Sequence, residues 1–160
     1  MTIAVGDRIP DVEVRVMGDD RPEPIQTGDV LGRGKVVLFA LPGAFTPTCS
    51  DYHLPGFVIR AGELRAKGVG TIACLSVNDA YVMDAWGIDQ EVGDEIVMLA
   101  DGNGTFTRAV GLEFDASGSG LGERSRRYAA VIDDGVVTAL MVEPAGGLNV
   151  SSAESVLASL

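Results

Sequence analysis

The chain carries two cysteines, Cys49 and Cys74, and one histidine, His53. Of these, Cys49 is placed for nucleophilic chemistry. It lies in Leu41-Pro42-Gly43-Ala44-Phe45-Thr46-Pro47-Thr48-Cys49-Ser50, where an apolar run ends, a Pro/Gly-punctuated loop follows and a helical pattern begins. A helix start offers unpaired N–H groups and the positive end of the dipole, and both favour a thiolate over a thiol. Thr46, three residues earlier, can bring a hydroxyl beside the sulfur, while Pro42 and Pro47 stiffen the loop and can exclude water. The competing reading makes Cys49 a buried apolar residue at a helix start, as most cytosolic cysteines are. His53 follows Cys49 by one helical turn, so the two can be neighbours. A thiolate–imidazolium pair of hydrolase type also needs an orienting partner and an oxyanion hole. A rim histidine that packs and tunes the site is the simpler expectation. Cys74 lies inside an apolar run and reads as core.

Other chemistries fail on spacing. Three Cys and His residues cannot assemble a zinc site without carboxylate help, so no metal is expected. Cys49 has no cysteine two residues away, which excludes a C-x-x-C dithiol. Gly28–Lys35 resembles a phosphate loop, but five residues separate Gly28 from Gly34 and Val36 stands where Ser or Thr is required. Asp101–Asn103 opens like a calcium loop, with Phe106 in the place of the turn glycine. A net charge of −11 and a pI near 4.3 disfavour nucleic acid and anionic membrane surfaces as partners. The longest strongly apolar run, Val36–Leu41, is far short of a membrane span. Met1–Pro10 shows no basic segment ahead of an apolar core, so no secretory signal is expected. With two cysteines only, a reducing, cytoplasmic setting is the expectation.

The site needs a scaffold, and the pattern predicts one domain over residues 1–160. At 46% hydrophobic and 22% charged residues the composition is globular, and the length is too short for two separate cores. Gly18–Asp20 and Pro22–Pro24 read as loops. Lys35–Leu41 and Thr71–Val77 are continuous apolar runs that fit strands buried on both faces. Between them Leu54, Phe57, Val58, Ala61 and Leu64 mark one face of a helix, with a kink expected at Pro55 and an end at Gly68–Gly70. Asn78 or Asp79 can cap a helix through Trp86, stopped by Gly87. Ile96–Ala100 is a further strand, followed by a turn at Asp101–Gly104 and a short helical piece through Val110. Tyr128–Ile132 and Val136–Val142 flank a hairpin turn at Asp134-Gly135. Ser151–Glu154 reads as a capping box that opens a last helix. Alternation followed by an antiparallel pair predicts an α/β fold of thioredoxin-like kind, a mixed central sheet with helices on both faces.

The residues around Cys49 also resemble a known family. Pro42-x-x-x-Thr46-x-x-Cys49 is similar to the active-site pattern of peroxiredoxins, and PGAFTPTCSDYHLPGF, Pro42 to Phe57, resembles the peroxiredoxin-5 (type II) subfamily. Ala73–Ala80, Arg127–Val131 with Asp133–Gly135, and Val142-Glu143-Pro144 extend the resemblance over nearly the whole chain. It implies that Cys49 is the peroxidatic cysteine and that Thr46 hydrogen-bonds the sulfur and the incoming peroxide. Arg127 would bring a guanidinium to the thiolate, and Pro42 would shield the site. Thr48, Phe45 and His53 would line the substrate approach, with Phe45, Tyr81 and Trp86 near a dimer contact. Without the resemblance Arg127 reads as a solvated charge beside Arg124 and Arg126, and strand register alone does not decide which of Arg126 and Arg127 points inward.

One departure matters. Many animal members of the subfamily carry a resolving cysteine near the last helix, and alignment from Gly147-Leu148 onward puts Val150 there. The expected activity is therefore a peroxidase acting on hydrogen peroxide and alkyl hydroperoxides. Its Cys49 sulfenic acid is reduced by an outside thiol, glutathione with glutaredoxin or thioredoxin. No cofactor is expected, and a homodimer is. Two alternatives stand beside this reading: a Cys49–His53 thiol hydrolase or acyltransferase, and a non-enzymatic peroxide sensor that passes oxidation to a partner.

Overall fold

The structure is a computed structural model that describes residues 1–160. Its strands are β1 (Glu13–Met17), β2 (Pro22–Gln26), β3 (Lys35–Ala40), β4 (Thr71–Ser76), β5 (Val97–Ala100), β6 (Glu113–Asp115), β7 (Glu123–Ser125), β8 (Tyr128–Asp133) and β9 (Val136–Val142). Its α-helices are α1 (Thr27–Leu31), α2 (Leu54–Ala66), α3 (Ala80–Asp89), α4 (Thr105–Ala109) and α5 (Ala153–Ser159). Seven strands form one sheet in the order β2-β1-β5-β4-β3-β8-β9, and β6 pairs with β7 in a separate ribbon. β3, β4 and β5 run parallel, while β8 pairs antiparallel with both β3 and β9.

The continuous apolar runs are explained by two buried faces. Successive side chains of a strand point to opposite sides. Val37, Phe39 and Leu41 therefore enter one core cluster with α2, α3 and α5, while Val36, Leu38 and Ala40 enter a second with Leu31 of α1 and Phe106 of α4. Cys74 lies opposite Phe39 in the β3/β4 ladder and shares the first cluster with Cys49. The layering expected from the pattern is present, with helices on both faces of a mixed sheet.

Several local expectations need correction. Pro22 and Pro24 are not in a loop. They lie in β2, which is tolerated because β2 is an edge strand and the missing N–H groups break no interior ladder. β1, with the alternating pattern EVRVM, adds a strand to those that the sequence pattern predicts. Gly87 does not stop α3, which continues to Asp89. A Cβ on Gly87 would stand 3.2 Å from both Met98 Cγ and Val92 Cγ2, so glycine there permits close packing on β5. Asp79 is the residue that caps α3, accepting from the Val82 N–H at 2.9 Å. The last helix is capped by Ser152, not Ser151, because the Ser151 hydroxyl is bound elsewhere. The β8–β9 turn follows expectation, with Asp134 and Gly135 at φ 47° and 85°, the left-handed pair of a tight hairpin.

Candidate active site

The loop after β3 carries the nucleophile into a helix whose first turns are irregular. The helix starts at Pro47, and Cys49–His53 then form a π-helical turn before α2 takes over at Leu54. The Leu54 N–H donates to the Cys49 carbonyl, five residues back. Pro55, which has no N–H, sits in the first turn of α2. The expected kink at Pro55 is thus realised as a π-turn one step upstream, a device frequent at functional sites. Neither Thr48 nor Cys49 donates its N–H to a protein acceptor. Both remain free to bind a substrate oxygen.

Side chains from distant elements fix this loop. Asn78, just past β4, accepts from the Ala44 N–H at 2.9 Å through Oδ1, and the Ser76 hydroxyl lies 2.7 Å from the same oxygen. Arg124, in β7, donates to the Pro42 carbonyl at 3.2 Å and to the Leu121 carbonyl at 3.0 Å. Trp86 is buried in the core and donates from Nε1 to Ser50 Oγ at 3.0 Å, tying α3 to the residue after the nucleophile.

Arg127 closes the centre. It stands just before β8 with 7% of its surface exposed, and Nη2 donates to Cys49 Sγ at 3.1 Å. The inward arginine is therefore Arg127. Arg126 instead donates from Nη2 to the Glu143 carbonyl at 3.1 Å. The other fork of Arg127, Nη1, lies 2.8 Å from His53 Nδ1, and His53 Nε2 lies 2.9 Å from the Ser151 carbonyl. A carbonyl only accepts and a guanidinium only donates, so His53 carries its proton on Nε2 and presents a lone pair at Nδ1. Burial, reinforced by the Arg127 charge, lowers its pKa from 6.5 to about 3.

These contacts revise three expectations. His53 is not at the rim: it is 1% exposed, packed against the stacked rings of Phe39 and Phe57 at ring distances of 5.1 and 5.7 Å. Held neutral and bonded to Arg127, it supplies no imidazolium to a hydrolase-type pair and has no surface for substrate. The Thr46 hydroxyl donates to the Gly43 carbonyl at 2.7 Å rather than to the sulfur, so its lone pairs are what it can offer. Phe45 is 53% exposed at φ 65°, with its ring 6.4 Å from that of Trp86. Pro42 and Thr48 are half-buried on either side of the loop. Cys74 is fully buried, and burial first, then the neighbouring Cys49, pushes its thiol well above the ordinary range.

The chain is similar to known proteins over nearly its whole length. The family described as Redoxin matches residues 4–157. Peroxiredoxin-2B of Arabidopsis thaliana is 48% identical over 161 residues, covering 99% of this chain and 98% of that protein. Reduced Prx3 of Vibrio vulnificus in complex with hydrogen peroxide superposes with a TM-score of 0.94 at 49% identity, covering 99% of each chain. This chain is a peroxiredoxin. Peroxiredoxin 5 of Alvinella pompejana is also similar, at TM-score 0.86 and 39% identity over 98% of this chain and 97% of that one. These relatives are consistent with the type II subfamily. The peroxiredoxin has the thioredoxin-like fold and is a thiol-dependent peroxidase, with a peroxide as substrate and a thiol as reductant.

Sequence reasoning alone does not find Asn78 or Arg124 as parts of this peroxiredoxin site. Asn78 reads as a cap and Arg124 as a surface charge, because contacts across 34 and 82 residues leave no local pattern.

Proposed function

We propose that this peroxiredoxin reduces hydrogen peroxide and alkyl hydroperoxides at Cys49 as its sole reacting cysteine, and that an external thiol restores it. The Cys49 thiolate attacks the hydroxyl oxygen of ROOH. The S–O bond forms as the O–O bond breaks, Cys49 becomes a sulfenic acid, and RO⁻ leaves and takes a proton from water. Arg127, fixed 3.1 Å from Sγ, favours the charge of the nucleophile and meets the charge developing on the leaving oxygen. The free N–H groups of Thr48 and Cys49 donate to the peroxide, and the Thr46 hydroxyl accepts from its O–H. Pro42 keeps water from the thiolate, and Thr48 and Phe45 border the approach.

The observation that carries the one-cysteine cycle is the placement of Cys74. It is the only other cysteine and lies mid-strand in β4 with no exposed surface; the resemblance puts Val150 where many animal members carry a resolving cysteine. Reduction then falls to glutathione with glutaredoxin, or to thioredoxin, in the cytoplasm. We place the enzyme there as a homodimer that covers the exposed rings of Phe45 and Tyr81. Peroxide consumption followed with glutathione/glutaredoxin and with thioredoxin, side by side, tests the assignment. Sustained turnover in the glutaredoxin arm is expected. Rapid single oxidation without turnover in either arm identifies a sensor instead.

A further inference from the structure

Glu143, just past the end of β9, lies 2% exposed, and its carboxylate bonds neither Cys49 nor Arg127 nor His53. Its Oε2 alone accepts four hydrogen bonds, from the N–H groups of Asn149, Val150 and Ser151 at 3.0, 2.7 and 2.8 Å and from the Ser151 hydroxyl at 2.8 Å. Burial works against the charge, but these bonds outweigh it and hold the carboxyl below its usual range. Three successive N–H groups converging on one oxygen fix the peptide planes of 149–151. Together with the bond from the Ser151 hydroxyl they anchor residue Ser151 itself, whose carbonyl is the acceptor of His53 Nε2–H at 2.9 Å. The backbone closes the circuit, because the Glu143 N–H donates to the Arg127 carbonyl at 3.0 Å.

We propose that Glu143 is a positioning residue of the peroxide-reducing centre, acting through the Ser151 carbonyl to set the His53 tautomer and, through His53, the fork of Arg127 that faces Cys49. The logic is one of directed hydrogen bonds. Arg127 Nη1 can donate to His53 Nδ1 only while Nδ1 is a lone pair, and Nδ1 is a lone pair only while the proton is held on Nε2. The Ser151 carbonyl holds it there. With the carboxylate gone, the 149–151 loop loses the acceptor of four donors, and Ser151, which carries the carbonyl, loses its anchor. The Nδ1–H tautomer then competes, and where it forms, two donors face each other and Arg127 turns away from the sulfur. The interaction is worth having because an unpaired donor in a buried site is costly.

The chain has one histidine, so ¹⁵N-labelled protein reports a single imidazole and its tautomer directly. The test compares wild type, Glu143→Gln and Glu143→Ala by two-bond ¹H–¹⁵N correlation at neutral pH. Stopped-flow oxidation of the reduced enzyme by hydrogen peroxide is measured beside it. Wild type should show the Nε2–H tautomer alone. Both variants should show admixture of the Nδ1–H tautomer and a fall in the oxidation rate constant of about 2- to 30-fold, larger for alanine. If Glu143→Ala does not fold, Glu143→Gln decides. A wild-type Nδ1–H tautomer overturns the proposal. So do variants that melt earlier yet keep the tautomer and the oxidation rate, since that is the signature of a structural role only. The first oxidation uses no reductant, so the result stands apart from the choice of reducing partner.

Discussion

Replacing Arg127 by alanine isolates the contact on which the first chemical step depends. In the native centre Nη2 lies 3.1 Å from Cys49 Sγ, and Nη1 lies 2.8 Å from His53 Nδ1, in a site where the arginine is 7% exposed. A hydrogen bond to a charged partner contributes about 1.5–3 kcal/mol net. If that contribution is present for the transition state, its loss slows oxidation by about 10- to 150-fold. Arg127→Lys should fall between the two proteins, because an ammonium keeps the charge but cannot hold the sulfur and the imidazole in one planar fork. The assay is stopped-flow oxidation at varied peroxide, read through Trp86, the sole tryptophan, which donates to Ser50 Oγ at 3.0 Å beside the nucleophile. Melting curves establish that the variants are folded. An Arg127→Ala enzyme that is folded and oxidises within about twofold of wild type refutes the reasoning.

Three further outcomes follow from the same contacts. Thr46→Val should slow oxidation about tenfold or more while Thr46→Ser keeps most of the rate, because the hydroxyl holds the Gly43 carbonyl and, in the proposed mechanism, accepts from the peroxide; equal rates for the two variants contradict it. Cys74→Ser should keep full turnover and lose about 1–3 kcal/mol of stability in urea titrations, the cost of a hydroxyl in an apolar layer; loss of turnover with an intact first oxidation makes Cys74 a resolving residue. His53 binds its proton near pH 6.5 when unfolded and only near 3 when folded, so the unfolded state holds the extra proton between those values. Stability is then fully present above pH 6.5 and falls as pH drops towards 3, by about 2 kcal/mol between pH 7 and pH 5. His53→Gln should flatten that slope, and equal wild-type stability at pH 7 and pH 5 contradicts the buried neutral imidazole.

What the sequence reveals and what it hides divide along range. The buried strands β3 and β4, the β8–β9 turn and the Cys49 loop are legible because their signals are local: unbroken apolar runs, an Asp134-Gly135 pair, and the three spaced residues Pro42, Thr46 and Cys49. The edge strand β2 is hidden because Pro22 and Pro24 read as breakers, and only its place at the sheet margin makes them harmless. His53 is legible as a neighbour of Cys49, but its burial is not, since that depends on Phe39, Phe57 and the Ser151 carbonyl arriving from other elements. The serine run shows the same limit. Ser151 satisfies the capping-box pattern with Glu154, yet Glu143 takes its hydroxyl and Ser152 caps the helix instead. The local pattern points to Ser151 as the cap, and a tertiary carboxylate moves that role to Ser152.

The central claim is that Cys49 cycles alone and an outside thiol resolves it. Intact-mass spectrometry after one equivalent of peroxide tests this most directly. A monomer-mass gain of one oxygen on Cys49 is expected, replaced by a glutathionyl adduct when glutathione is added and cleared by glutaredoxin. A loss of two hydrogens that maps to a Cys49–Cys74 bridge contradicts it.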